Sequence, residues 1–282
     1  MQVVDSIDSL RAQLKSARAE GKTVGFVPTM GYLHEGHLSL VQNARQSNDV
    51  VVVSVFVNPT QFGPNEDLDA YPRDTERDLN LLRGAGTDLA FFPSAEALYP
   101  KGFTTYVSLE GPMTATLCGR SRPNHFRGVA TIVSKLFNIV KPDRAYFGQK
   151  DAQQVAVIEQ MTRDLDFDIE IVACPTVRES DGLAMSSRNT YLSEAERAQA
   201  PLISKALFGA GELIEKGERN SSVLLDYLQR SIQQIDGAVI DYVSIVDSRT
   251  LADLEVLREK VLIAVAVKVG RTRLIDNIRV TV

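Results

Sequence analysis

The segment Val50 to Val57 reads VVVVSVFV, apolar at all but one position and stopped by Asn58-Pro59. A strand with one face in water alternates polar and apolar residues, so a run like this one must be covered on both faces. The flanking sequence supplies the cover. Thr23 to Val27 reads as a strand that breaks at Pro28, and a helix entering around His37 carries Leu38, Val41 and Ala44 at helical spacing. The amphipathic stretch Asp74 to Leu82 ends at Gly84 and Gly86, and Asp88 to Phe92 forms a third strand stopped by Pro93. Val129, Ile132, Val133, Leu136 and Val140 mark a helix that must end before Pro142. Ala145 to Phe147 follows as a strand, Val155, Ile158, Met161 and Leu165 as a helix, and Phe167 to Ala173 as a strand. Strands alternating with helices predict right-handed crossovers, hence an α/β fold with a Rossmann-like, doubly wound, mostly parallel sheet.

The pattern changes near residue 176. Helical stretches Ser193 to Lys216 and Ser221 to Ile235 precede strands Val239 to Val246 and Val261 to Val269, which predicts a smaller α+β domain. The reading is therefore two domains, 1–176 and 177–282. The longest apolar runs fall far short of the roughly 20 residues of a membrane span, and the charged N-terminal stretch lacks the apolar core of a secretory signal. A cytoplasmic protein that makes no membrane contact is expected. A net charge of -5 argues against coating nucleic acid, and two cysteines, Cys118 and Cys174, are too few for a disulfide framework. They read as free, inert thiols.

In a doubly wound sheet, ligands bind outside the carboxyl ends of the strands. Three such ends are rich in polar residues and glycine: Pro28-Thr29-Met30-Gly31, Asn58-Pro59-Thr60-Gln61 and Gly148-Gln149-Lys150-Asp151. The sharpest local signal is His34-Glu35-Gly36-His37 at a loop-to-helix transition. A helix start offers unpaired N–H groups and a positive dipole end suited to phosphate, and two imidazoles three residues apart can donate beside them. The alternatives are helix-capping histidines and a zinc site, although zinc proteases space their histidines at i and i+4. No GxGxxG and no GxxxxGK[ST] is present.

Met185-Ser186-Ser187-Arg188 is a second candidate. Two hydroxyls and a guanidinium can cradle a pyrophosphate, or the serines can simply cap a helix. Lys150 would add a point charge, and Gln61 and Gln154 could hold a small substrate's hydroxyl and carboxylate. Arg120, Arg122 and Arg127 either steer an anion or decorate a loop, and Asp74 to Asp78 either reaches a magnesium ion or forms a solvated helix face.

Together these segments resemble a known family. VPTMGYLHEGH (27–37), FVNPTQF (56–62), YPR (71–73), SRPNHFRGVATIVSKLFNIVKPD (121–143), FGQKDAQQ (147–154) and DGLAMSSRN (181–189) look like the motif set of the pantoate–β-alanine ligases, within the HxGH nucleotidyltransferases; the likeness runs on to LIDN at 274–277. The resemblance implies ATP-dependent condensation of D-pantoate with β-alanine through a pantoyl adenylate, with ATP as co-substrate and Mg2+, releasing AMP and pyrophosphate; the alternative is a relative that stops at an adenylylated product. By resemblance the ATP site is Met30, Gly31, Tyr32, Leu33, His34, Glu35, Gly36, His37, Gly148, Gln149, Lys150, Asp151, Val177, Met185, Ser186, Ser187 and Arg188. His37 carries the catalytic role, with His34, Lys150, Ser186, Ser187 and Arg188 on the phosphates. Gln61 and Gln154 match pantoate-binding glutamines, and Asn58, Tyr71 and Arg122 complete the substrate set. A homodimer is also implied, while the metal ligands stay unassigned. Gln149 and Cys118 depart from the family pattern, each standing where an acidic residue is frequent.

Overall fold

The computed structural model describes residues 1–64 and 66–282. They form two compact units. The first comprises Met1–Leu109, Arg122–Gln149 and Val157–Pro175; the second comprises Glu110–Ser121, Lys150–Ala156 and Thr176–Val282.

The first unit is built on β1 (Gln2–Val4), β2 (Val24–Thr29), β3 (Val50–Val55), β4 (Leu89–Phe91), β5 (Arg144–Gly148) and β6 (Glu170–Cys174), in the order β1-β4-β3-β2-β5-β6. Every pairing is parallel. Val27, Val51, Val53, Ala90 and Tyr146 pack against Leu40, Val41 and Ala44 of helix Glu35–Ser47 and Leu82 of helix Thr75–Gly84. Phe147, one residue on from Tyr146, faces the other way and meets Phe137 of helix His125–Val140, ring centroids 6.4 Å apart. Both faces are thus covered, as the valine run requires. Each valine, leucine or phenylalanine among them contributes about 1.5–3 kcal/mol when fully buried.

β2 does not stop at Pro28, because the proline's missing N–H is not needed there. The Thr29 carbonyl accepts from Phe56 on the β3 side and the Val24 carbonyl from Asp143 on the β5 side, so Pro28 faces β5, beyond the last pair, Phe26–Ala145. β1 is the short strand that the hydrophobic pattern missed. From β2 the chain winds to β3 and β4 on one side, then crosses to β5 and β6 on the other. The β2/β5 junction is therefore the switch point, where the loops leaving the strand ends diverge and open a crevice.

The second unit holds an antiparallel sheet of β7 (Val239–Asp247), β8 (Lys260–Val269) and β9 (Thr272–Thr281). β8 alternates strictly. Val261, Ile263, Val265, Val267 and Val269 face helices Leu202–Glu215 and Ser221–Ile232, while Leu262 and Ala264 face Leu117, Ala152 and Ala156. The expected single helix 193–216 is two, Glu194–Gln199 and Leu202–Glu215, because Pro201 interrupts the backbone ladder between them. β9 was not expected. Its signal is the two-residue turn Gly270-Arg271, with Gly270 at φ +57°.

Candidate active site

The loop leaving β2 is fixed atom by atom within the first unit. The Gly31 N–H donates to Thr29 Oγ1 at 3.2 Å, and Gly31 itself sits at φ +84°. The N–H groups of Tyr32 and Leu33 donate to the Asp78 carboxylate at 2.8 and 2.7 Å. Helix Glu35–Ser47 begins with His34 as its N-cap: His34 Nδ1 accepts from the Gly36 N–H at 3.1 Å, and His37 Nδ1 accepts from the His34 N–H at 3.3 Å. The two rings lie 4.0 Å apart.

This corrects the expectation of unpaired amides at the helix start. The N–H groups of Gly31, Tyr32, Leu33, His34, Gly36 and His37 already have acceptors: the Thr29 hydroxyl, the Asp78 carboxylate of helix Thr75–Gly84, the two imidazoles and the His34 carbonyl. The histidines are caps and, for that reason, oriented donors. An imidazole that accepts through Nδ1 carries its proton on Nε2 when neutral, so both rings are set in the Nε2–H tautomer. Glu35 opens the helix beside them.

Residues 74–77 are exposed, as a solvated helix face requires, but Asp78 departs from that reading. Its side chain is 2% exposed and points into the loop, while Asp74 caps helix Thr75–Gly84 by accepting from the Arg77 N–H at 3.0 Å. Burial pushes the Asp78 carboxyl above its ordinary value, and the N–H groups of Leu33 and Tyr32 oppose that shift.

The loop after β3 holds Asn58 and Gln61. Asn58 Oδ1 accepts from Tyr99 at 2.7 Å and Thr60 at 3.0 Å, and Asn58 Nδ2 donates to Gln61 Oε1 at 3.0 Å and the Gly128 carbonyl at 3.2 Å. With Oε1 engaged, Gln61 presents its NH2 group, which donates to Met30 Sδ at 3.1 Å. A donor in that position suits a hydroxyl or carboxylate oxygen. Gly128 permits this approach, since a Cβ there would lie 2.4 Å from the Thr60 carbonyl oxygen. Behind the loop, Arg122 forms a two-point pair with Glu66 at 2.7 and 2.6 Å, and His125 links Arg122 at 3.0 Å to the Gln61 carbonyl at 2.8 Å. Burial raises the Glu66 carboxyl, but the hydrogen bond and charge of Arg122 outweigh it and the net direction is down. Tyr71 is buried with its ring against Phe62. Thus Met30, the 31–37 loop, Asn58 and Gln61 form one connected group, and Gly148 and Gln149 leave β5 across the switch point from the end of β2.

In the second unit, Lys150 lies 3.8 Å from Asp151, and its carbonyl accepts from Asn277 at 2.9 Å. Gln153 is buried on Cys118, Met113 and Thr116, while Gln154 is half-buried beside it. Val177 and Met185 close a short hairpin through the Met185 N–H, and Arg178 within it pairs with Asp276 at 2.7 and 3.0 Å. Ser186 caps the following short helix by accepting from the Arg188 N–H, and Ser187 is buried. The anchoring role of β9, through Asp276 and Asn277, was missed by sequence reasoning; LIDN was its only trace. Both cysteines are free and buried, and burial pushes the Cys174 thiol up. Among the described residues no group of three His, Cys, Asp or Glu is placed to hold a metal ion.

A family model for pantoate-beta-alanine ligase matches residues 2–279. A pantothenate synthetase of Acetivibrio thermocellus is 58% identical over 282 residues, the whole of both chains. A solved pantothenate synthetase of Thermus thermophilus superposes with a TM-score of 0.95 at 49% identity, with 99% of each chain covered. A pantoate-beta-alanine ligase of Francisella tularensis, solved with Beta-gamma ATP and beta-alanine, gives a TM-score of 0.80 at 35% identity, covering 99% of this chain and 97% of that one.

Proposed function

The chain belongs to the pantoate-beta-alanine ligase family, and from that premise we propose how its residues divide the work. The enzyme joins pantoate to β-alanine at the expense of ATP. A pantoate carboxylate oxygen attacks the α-phosphorus and pyrophosphate leaves; the β-alanine amine then attacks the acyl carbon, loses a proton, and AMP departs. Charge accumulates on phosphate oxygens in the first step, so the protein's task is positioning and preorganised donors, with no covalent nucleophile required.

The observation that carries the reading is the pair of imidazoles at the switch point, each held through Nδ1 on a loop amide. His37, with His34 beside it, donates to the phosphates at the bond that breaks. The Met30–His37 loop, Gly148, Gln149, Lys150, Asp151, Val177 and Met185 hold the nucleotide. Lys150, Ser186, Ser187 and Arg188 take the charge of the leaving pyrophosphate. Gln61, oriented by Asn58, and Gln154 hold pantoate, while Tyr71 and Arg122 support the loop around it. Mg2+ bound with the nucleotide would neutralise charge on its phosphates beside Lys150 and the paired imidazoles. Membership of the family supports a homodimer acting in the cytoplasm. Among the described residues no helix is long and apolar enough to cross a membrane. Incubation with ATP, pantoate and β-alanine tests the reading: AMP and pyrophosphate should form only when all three are present, and ADP with phosphate would reject it.

A further inference from the structure

Asp78 is a buried carboxylate that none of the proposed chemical steps uses. Burying an ionised carboxylate costs several kcal/mol unless close partners compensate. Its nearest cation is poorly placed, with Arg77 Nη1 4.0 Å away on a half-exposed side chain. The strong partners are instead two successive loop amides, those of Tyr32 and Leu33. Tyr32 sits at φ +50°, a conformation that a non-glycine residue adopts only when its surroundings impose it. The Arg77 guanidinium lies over the Tyr32 ring, 5.2 Å from its centroid, so adjacent residues of one helix grip both the amide and the side chain. Gly31 is fitted to the same carboxylate: a Cβ there would lie 3.1 Å from Asp78 Oδ2 and 2.9 Å from Val55 Cγ1. The turn held in this way leads directly into His34.

We propose that Asp78 is a positioning residue of the ATP site, fixing the Gly31–Leu33 turn and thereby the direction in which the His34 and His37 rings are presented to the phosphates. This rests on the ATP-dependent reading above and adds a residue to it. Asp78→Asn keeps the shape but offers one acceptor where two amides need it. The control is Leu82→Ala, which removes buried volume from the same helix without touching a loop amide.

Single-turnover adenylate formation and thermal melting of both full-length variants decide the matter. Asp78→Asn should lower kcat/KM for ATP about a hundredfold while leaving the KM for β-alanine unchanged, the scale expected of a misplaced donor set. Leu82→Ala should lose stability yet keep kcat/KM for ATP within a few-fold of wild type. Equal losses in the two variants, or an Asp78→Asn enzyme within about twofold of wild type, would overturn the proposal. Should Asp78→Asn fail to fold, hydrogen exchange in the wild type still decides: the Tyr32 and Leu33 amides should be protected like the sheet core, and exchange at open-loop rates would refute the clamp. A wild type that makes no AMP removes the ATP reading as well, whereas an active wild type with an unimpaired variant removes only Asp78's role.

Discussion

The two units hold their candidate residues in different ways. In the first, the 31–37 loop rises from a central parallel strand, and its amides are answered by a buried carboxylate, a threonine and two histidines. In the second, Lys150 and the 177–185 hairpin are tied to the end of one strand, β9, through Asn277 and Asp276. One site rests on a general rule of doubly wound sheets; the other rests on a dipeptide that no fold rule singles out. A fault in the first should therefore strike the chemistry, and a fault in the second unit's 177–185 hairpin, whose Val177 and Met185 hold the nucleotide rather than the leaving group, should mainly weaken the grip on ATP.

The largest effect should come from His37→Ala, with adenylate formation in single-turnover measurements falling at least about a hundredfold, the order for losing one preorganised donor. A loss of only a few-fold would place the charge stabilisation elsewhere. Asp276→Ala releases Arg178 and disturbs the support of the hairpin. We expect the KM for ATP to rise about tenfold with kcat nearly unchanged, and stability to fall about 1–3 kcal/mol in urea titration. If kcat falls instead, the proposed division between the units is wrong. Gly128→Ala pushes a methyl group into the Thr60 carbonyl, so it should raise the KM for pantoate several-fold and destabilise by about 1–3 kcal/mol.

The smallest effect is on pH dependence. Glu66 titrates below its ordinary 4.5, so its pairing with Arg122 stabilises the fold above that value and the contribution is lost as pH falls through the lower folded value. Denaturation midpoints should drop below about pH 4.5 in the wild type, and Arg122→Ala should flatten that part of the decline. An unchanged acid limb would mean that the pair contributes nothing.

Much of the first unit was legible because its signals are physical: both-face burial of VVVV demands helical cover, and polar strand ends mark the crevice. What pattern alone missed has physical causes too. His34 and His37 occupy the amide acceptor positions that were reserved for phosphate, since a side chain three residues away can cap a helix as well as a ligand can. Asp78 read as solvent-facing because the helical pattern gives its direction but not the loop that covers it. β9 alternates too weakly to stand out, and Asp276 and Asn277 looked like ordinary polar residues. Ser186 and Ser187 are indistinguishable from common caps without the family motif around them.

Activation of the pantoate carboxylate at the α-phosphate is the step on which every assigned role depends. Pantoate labelled with 18O in both carboxylate oxygens, turned over with ATP and β-alanine, reports this directly in the mass of the AMP released. One 18O should appear in the AMP phosphate for each pantothenate formed; AMP without label, or label in released inorganic phosphate, would contradict the mechanism.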